Sequence, residues 1–145
     1  MLPREKEERQ KFIVLFLLIS CVGLLIRTFG LSWISDDMRI CLTVWMDELE
    51  GGKGFSSLTA YTGDYNMPYI TVLWLIARLP ISRVAGVKAF SILFDYIGAI
   101  FAGLLAEHFY KNRFLIAYTL VLLSPVTMAN SAWWGQCDMV YTAFL

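Results

Sequence analysis

Apolar residues dominate a long stretch near the start of the chain. Between Lys11 and Asp36 the only charged residue is Arg27, and residues 12–26 are almost entirely aliphatic or aromatic. A run of this length crosses the hydrocarbon core of a bilayer as a helix. We therefore predict a first transmembrane helix over residues 12–29, with the guanidinium of Arg27 extending toward the far interface.

A cleaved signal peptide is the alternative interpretation of this first run, because a short basic start precedes the apolar residues. A cleavage site needs small residues, however, and Arg27, Phe29 and Leu31 occupy that region. The pattern favours a retained helix. The preceding tail, residues 1–11, contains four basic residues and is predicted to be cytoplasmic.

Three further apolar runs follow, and they differ in length. Residues 65–77 would form a helix of only roughly 20 Å, well short of the roughly 30 Å of hydrocarbon, so we predict that they lie in the membrane interface. Residues 89–106, interrupted only by Asp95, and residues 114–130 are long enough to span. The sequence thus predicts three complete crossings.

These spans predict which segments share a face of the membrane. Residues 30–88 form an outer loop with amphipathic or interfacial helices, and residues 107–113 form a cytoplasmic loop. Residues 131–145 return to the outer face and begin a further helix. If residues 65–80 cross the membrane instead, Asp138 falls on the opposite face. Lysine and arginine counts leave this choice open, because both candidate loops are basic.

The polar stretch after the first span contains a second helical pattern. Ser35 is a suitable N-cap, and the two aspartates that follow it favour the positive end of a helix dipole. Apolar residues then recur at helical spacing, at Met38, Leu42, Trp45 and Leu49. A pair of glycines ends the pattern. We predict an amphipathic helix that lies on the membrane surface.

The composition assigns the chain to the membrane proteins. Of 145 residues, 58% are hydrophobic and 17% charged, and the mean hydropathy is +0.61. The predicted fold class is all-α, a polytopic helical membrane protein. The formal net charge is zero, which gives no indication of nucleic acid as a partner. An odd number of cysteines argues against a disulfide framework, although Cys41 and Cys137 could both face outward and form one bridge.

Acidic residues concentrate in three polar segments that the predicted topology puts on the outer face. The segments are Ser35-Asp36-Asp37, Gly63-Asp64-Tyr65 and the stretch from Ser131 to Asp138, which reads SAWWGQCD. Carboxylates at the boundary of membrane helices usually face a cavity, a partner or a substrate path. The sequence therefore predicts one acidic pocket where the helices meet the outer surface.

Each of these residues also has a purely structural interpretation. The Asp36-Asp37 pair could simply cap a helix, and Asp64 could belong to an ordinary turn. The Trp133-Trp134 pair could lie in an interfacial aromatic belt. Asp95 lies within a predicted span, and we interpret it as a structural contact in the helix interior.

Taken in order, these segments resemble a known family. A spanning helix is followed by an outward Ser-Asp-Asp, an amphipathic helix with Trp45, then Gly-Asp-Tyr-Asn-Met-Pro-Tyr, Ile-Leu-Phe-Asp-Tyr and Trp-Gly-Gln-Cys-Asp. From about Arg27 onward this order resembles the N-terminal part of multispanning GT-C glycosyltransferases, in particular bacterial proteins related to GPI mannosyltransferase 2. The family often has Ser-Gly-Asp-Tyr where this chain has Ser35-Asp36-Asp37-Met38, so Asp37 is the matching carboxylate.

The resemblance implies a mannosyltransferase-like membrane enzyme. It would transfer a sugar from a polyprenyl-phosphate donor to a hydroxyl of a glycan or lipid acceptor at the outer face of a cell membrane, among membrane lipids. A carboxylate near the attacking hydroxyl can remove its proton, and Asp37 would be this catalytic base. Substrate-binding residues would supply polar groups and flat aromatic faces: Asp64, Tyr65, Trp134, Gln136 and Asp138. The resemblance leaves open whether a divalent cation takes part.

A small membrane transport or scaffold protein is the alternative function. A transporter would place its acidic residues near the middle of the bilayer, whereas here most of them lie at one membrane boundary. The chain is also much shorter than GT-C enzymes, whose fold has many more helices. The resemblance therefore predicts that this chain is an N-terminal fragment without transfer activity of its own.

Overall fold

The computed structural model describes residues 3–51, 54–59 and 61–145, and within them the chain forms helices without strands, as predicted. The elements in chain order are α1 (Pro3–Thr28), a first π-helical turn (Met38–Leu42) continuing into α2 (Thr43–Gly51), a 3-10 helix (Gly54–Thr59), α3 (Met67–Ala77), α4 (Arg83–Phe109), α5 (Phe114–Leu122), α6 (Pro125–Met128), a second π-helical turn (Ala129–Trp134) and α7 (Asp138–Thr142).

Two helices are long and apolar enough to cross a membrane, residues Glu5–Thr28 of α1 and the whole of α4. A third span is formed if α5 and the stretch Pro125–Trp134 cross together, with a bend of 48° between them. The bend falls at Pro125, whose ring cannot continue the helix hydrogen bonds of α5. Two helices, or three if the bent pair crosses as one, could thus span a membrane, and the number and direction of the crossings stay predictions.

The predicted amphipathic helix forms, but its apolar face is covered by protein. Met38, Leu42 and Leu49 of the predicted stripe are fully buried inside the protein, and Met46 rather than Trp45 completes the buried stripe. The π-helical turn at the start adds a residue per turn and so shifts the register. The stripe packs on α3 and the beginning of α4. We expected it to face a lipid surface, and it does not.

Helix α3 is short, as the sequence predicted for residues 65–77. Its buried residues pack against the apolar stripe of α2 and form a hydrophobic core with it. Its buried residues are Tyr69, Ile70, Leu73, Ile76 and Ala77. The core also includes Val87 from α4 and Cys137 from the segment before α7. Two polar segments that are far apart in sequence, residues 29–37 and 131–138, therefore meet over the beginning of α4.

Candidate functional site

The base of the site contains a buried ion pair. Arg27 is fully buried on α1, and its Nε and Nη2 donate hydrogen bonds of 2.9 and 2.8 Å to Oδ2 of Asp95 on α4. Its other donors reach the carbonyls of Gly23 and Leu122. The prediction that Arg27 extends to the interface is wrong, because a carboxylate on the facing helix satisfies the charge inside the protein. Asp95 is the structural contact that we expected.

The same carboxylate holds the start of the Trp-Trp-Gly-Gln-Cys-Asp segment. The hydroxyl of Ser131, itself buried, donates a 2.5 Å hydrogen bond to Oδ2 of Asp95. Oδ2 therefore accepts from two residues, Arg27 and Ser131, which come from different helices. The second π-helical turn is in this way attached to α1 through α4.

A second buried cation holds the other side of the site. Lys88 on α4 is fully buried, and its Nζ donates to the backbone carbonyls of Gly30, at 2.7 Å, and Trp33. The sequence analysis assigned Lys88 to the outer loop and missed this role. The available signal was its position, since an isolated lysine at the beginning of an apolar run needs partners if it is buried.

Capping of the first π-helical turn falls to Ser35, as predicted. Its Oγ accepts a hydrogen bond of 3.2 Å from the backbone N–H of Met38 and donates one of 3.2 Å to the carbonyl of Trp134. Asp36 is exposed and paired with Arg39. Asp37 makes no capping hydrogen bond through its side chain. The carboxylate of Asp37 therefore provides no capping hydrogen bond, and its interaction with the positive end of the helix dipole stays a prediction.

Asp37 belongs to a short chain of polar contacts. The Nε2 of Gln136 donates a 2.5 Å hydrogen bond to Oδ2 of Asp37, and the hydroxyl of Tyr65 donates a 3.1 Å hydrogen bond to Oε1 of Gln136. A carboxylate can only accept, so the amide of Gln136 has one orientation. Three of the six predicted site residues are thus joined directly, although they are up to 99 positions apart in sequence.

A left-handed glycine lets Gln136 reach this position. Gly135 has φ of +71°, a conformation that side chains with a Cβ rarely adopt. A Cβ there would lie 2.4 Å from the Cε of Met38. The backbone turns at this point and returns against the first π-helical turn. The N–H of Gln136 donates a 2.9 Å hydrogen bond to the carbonyl of Asn130.

Asp138 and Asp64 lie around this chain of contacts. Both are exposed, and the carboxylate of Asp138 accepts a 2.9 Å hydrogen bond from Asn130. Burial, and then the nearby Cys137, Asp37 and Asp138, raise the pKa of the Tyr65 hydroxyl. Burial, Asp37 and Asp64 raise the pKa of the Cys41 thiol. The three carboxylates therefore gather at one end of the molecule.

Ion pairs satisfy other acidic residues in this region but not these three. Arg83, at the beginning of α4, pairs with Asp47 and Glu50 of α2. Among the ion pairs of the described residues, none includes the carboxylates of Asp37, Asp64 or Asp138. The site thus has a negative charge that the neighbouring side chains leave uncompensated.

Aromatic rings form one wall beside the carboxylates. Trp45 packs edge-on against Tyr61 and Tyr65, with ring centroids 5.7 and 5.5 Å apart, and Tyr65 in turn packs against Tyr69. Trp45 was predicted in the apolar stripe of a surface helix, and in the structure it is half-buried at this wall. Trp134 lies elsewhere, since its ring is 50% exposed and lines a cavity of about 370 Å³ with Ile26 and other residues.

Neither a disulfide nor a cluster of metal ligands is found in the described part of the chain. Cys21, Cys41 and Cys137 are free, so the bridge left open by the sequence is not formed. Among the described residues, no three histidine, cysteine, aspartate or glutamate side chains are grouped so that they could hold a metal ion.

Comparison with known proteins leaves the family open. No family model matches the chain, and neither a curated protein nor a solved structure matches it. The resemblance to GT-C glycosyltransferases thus stays a prediction from motif order.

Proposed function

We propose that the gene for this chain encodes a membrane glycosyltransferase that uses a polyprenyl-phosphate sugar as donor. The observation that supports this most is the state of Asp37. Its carboxylate is half-buried, takes part in no ion pair among the described residues, and is held by the amide of Gln136 rather than used to cap its own helix. A carboxylate that is held in position and has no ion-pair partner suits a general base.

The proposed reaction is an inverting transfer. The acceptor hydroxyl oxygen attacks the anomeric carbon of the sugar while its proton passes to Asp37. The bond between the anomeric carbon and the phosphate oxygen breaks, and polyprenyl phosphate leaves from the opposite side of the ring with the bonding electrons. The transition state is oxocarbenium-like, as in glycoside hydrolysis. Gln136 holds the carboxylate, and Tyr65 fixes the orientation of Gln136.

Other site residues would bind the two substrates. Asp64 and Asp138 are exposed carboxylates that can accept hydrogen bonds from sugar hydroxyls. The rings of Trp45 and Tyr65 offer flat apolar faces for a sugar ring. The ring of Trp134 lies on the side of α1, where it suits an isoprenoid chain better than a sugar.

We propose no transport function. A transporter whose acidic residues line an ion or solute path would place unpaired ones near the middle of the bilayer. Asp95 is the acidic residue placed deepest in a membrane helix, and Arg27 and Ser131 already occupy its Oδ2.

Asp37→Asn tests the proposal. The protein would be expressed from its native gene, reconstituted in liposomes and assayed for transfer from radiolabelled polyprenyl-phosphate hexoses, mannose included. We expect transfer by Asp37→Asn to fall by about 10²–10⁴-fold, as for loss of a positioned acid–base group. The melting temperature should change little, because Asn keeps the size and most hydrogen bonds of Asp, and Asp37 makes no capping hydrogen bond through its side chain.

Asp36→Asn is the matched control, since it changes the neighbouring carboxylate, which is exposed and paired with Arg39. It should keep wild-type transfer. Near-normal transfer by Asp37→Asn would exclude Asp37 as the base. If the wild-type product of the complete native gene transfers no sugar from any of the donors, the proposed function itself is contradicted.

A further inference from the structure

Two buried cations lie directly beneath the two segments that form the candidate site. Lys88 binds the carbonyls of Gly30 and Trp33, just before the segment that contains Asp37. Arg27 binds Asp95, which in turn binds Ser131, five residues before Gln136. Each side of the Asp37–Gln136 contact is thus attached to a buried charge.

The two segments also pack tightly on each other. A Cβ at Gly30 would lie 2.6 Å from the ring of Trp133 and 2.9 Å from the backbone of Ala132. The hydroxyl of Ser35 reaches the carbonyl of Trp134. Little space separates the two segments. If residues 131–138 shift relative to Asp95, Gln136 therefore moves relative to Asp37.

An ion pair is a costly way to join two membrane helices if packing is its only purpose. Buried pairs are often replaced by apolar residues of similar size without loss of stability. In this structure Oδ2 of Asp95 accepts hydrogen bonds from Arg27 and also from Ser131. An apolar residue at position 95 could not accept the hydrogen bond from Ser131. The carboxylate is therefore needed for the contact with Ser131, and the guanidinium is needed to keep that carboxylate charged and in place.

We infer that Arg27, Asp95 and Ser131 are positioning residues, which fix the second π-helical turn so that Gln136 holds the carboxylate of Asp37. They lie beneath the site, and their effect on the reaction is transmitted through Gln136. The inference rests on the proposed function for its catalytic consequence. The structural part, that these three residues hold the 131–138 segment, can be measured without any substrate.

Cys137 is a native reporter of this segment. It directly follows Gln136, and only 2% of its surface is exposed. Labelling by N-ethylmaleimide, followed by peptide mass spectrometry, measures how often the segment opens. The protein would be labelled in nanodiscs, with complete labelling in SDS as the reference, and its melting temperature would be measured in parallel.

The Arg27→Met/Asp95→Leu double variant separates positioning from packing. It removes both charges together, so no unpaired charge is left in the core, and we expect it to keep its helical content and melting temperature. The labelling rate of Cys137 should nevertheless rise about tenfold or more, as expected for loss of a hydrogen bond to a charged group. Wild-type labelling in a folded double variant would overturn the inference.

Ser131→Ala keeps the inference testable if the double variant does not fold. It removes only the last contact, and we expect Cys137 labelling to rise while the ion pair remains. Asp36→Asn, which alters an exposed pair near the site, should label like the wild type. Unchanged labelling in Ser131→Ala would show that Ser131 does not hold the segment, and would contradict the inference.

Transfer assays add the catalytic consequence. Ser131→Ala should lower kcat for sugar transfer and leave the KM for the polyprenyl-phosphate donor unchanged, because Gln136 acts on the base and not on the donor. If the wild type transfers no sugar, the proposed function fails, and the labelling experiment still decides whether the three residues position the segment. If labelling responds and kcat does not, the segment is held but its position is not used in catalysis, which overturns the inference.

Discussion

At the scale of single residues, burial decides which side chains are free to act. Arg27, Lys88 and Asp95 are charged and buried, and each has partners that satisfy it. Asp37 is the opposite case, since it is half-buried and makes no ion pair among the residues described. Charged groups in membrane helices are usually paired or functional. The contrast supports the proposal that Asp37 is the functional carboxylate, whereas Asp95 makes a structural contact.

Burial also changes how Cys137 responds to pH. Burial, and then the negative charge of Asp138, raise the pKa of this thiol above its ordinary value of 9.0. In the unfolded chain the thiol ionises near that value, whereas in the folded protein it ionises only at a higher pH. The unfolded state therefore binds fewer protons above this pH, and the stability of the protein falls as the pH rises.

We predict that Cys137→Ala weakens this alkaline loss of stability. The free energy of unfolding in mixed micelles would be measured at pH 8 and pH 10. One thiol contributes a slope of at most about 1.4 kcal/mol per pH unit, and the variant should lack that part. Cys21→Ala, which removes an exposed cysteine on α1, is the control and should keep the wild-type slope. Equal slopes for all three proteins would contradict the prediction.

At the scale of elements, irregular helices position the site. The first π-helical turn shifts the register of α2, and the second leads into Gly135, whose left-handed backbone directs Gln136 to Asp37. Single-turn π-helices of this kind often occur at functional sites. The 48° bend between α5 and the Pro125–Trp134 stretch places the second π-helical turn next to α4.

We predict that Gly135→Ala destabilises the protein and lowers transfer. A residue with a Cβ in the left-handed conformation costs about 1–2 kcal/mol, and the new methyl group would also displace the end of Met38. Gly51→Ala is the matched control, because a Cβ there meets no atom within 4 Å. Thermal unfolding and transfer would be measured for both variants. A Gly135→Ala protein as stable and active as Gly51→Ala would show that the turn at Gly135 is not required.

The sequence predicts the regular elements better than the irregular ones. The long apolar runs give α1 and α4, because a helix that crosses a bilayer needs about 20 apolar residues, and residues 65–77 are short as expected. Sequence periodicity assumes a regular 3.6-residue turn, so it put Trp45 in the apolar stripe at the place that Met46 takes in the structure. The shift comes from the π-helical turn, for which the apolar pattern has no signal.

The site was predictable in its residues and not in its contacts. Asp37, Tyr65 and Gln136 were chosen from motif order, and the structure joins them. The partners of Arg27 and Lys88 were missed, since they lie on other helices and at backbone carbonyls. Long-range pairs of this kind depend on how the helices pack, which local sequence does not contain.

At the scale of the whole molecule, the contacts favour one outer face for the site. Hydrogen bonds connect both ends of α3 to the segments that surround the candidate site. At its beginning Tyr65 binds Gln136, and at its end Arg78 donates a 3.3 Å hydrogen bond to the carbonyl of Leu49 on α2. Arg83, which follows α3 and begins α4, pairs with Asp47 and Glu50 of α2. A helix of 11 residues with both ends held by α2 and its neighbours is unsuited to crossing a membrane.

We predict that residues on both sides of α3 are accessible from outside the cell, whereas the loop between α4 and α5 is not. Single cysteines at the exposed positions Asn66, Ser82 and Lys111 would be labelled with a membrane-impermeant maleimide in intact cells. Ser57 and Ser131 are unsuitable, because both are buried. Positions 66 and 82 should react directly, and position 111 only after the cells are permeabilised, since α4 crosses the membrane between Ser82 and Lys111. Labelling at 66 with protection at 82 would mean that α3 crosses and that Asp37 and Asp138 lie on opposite faces, which would remove the proposed site.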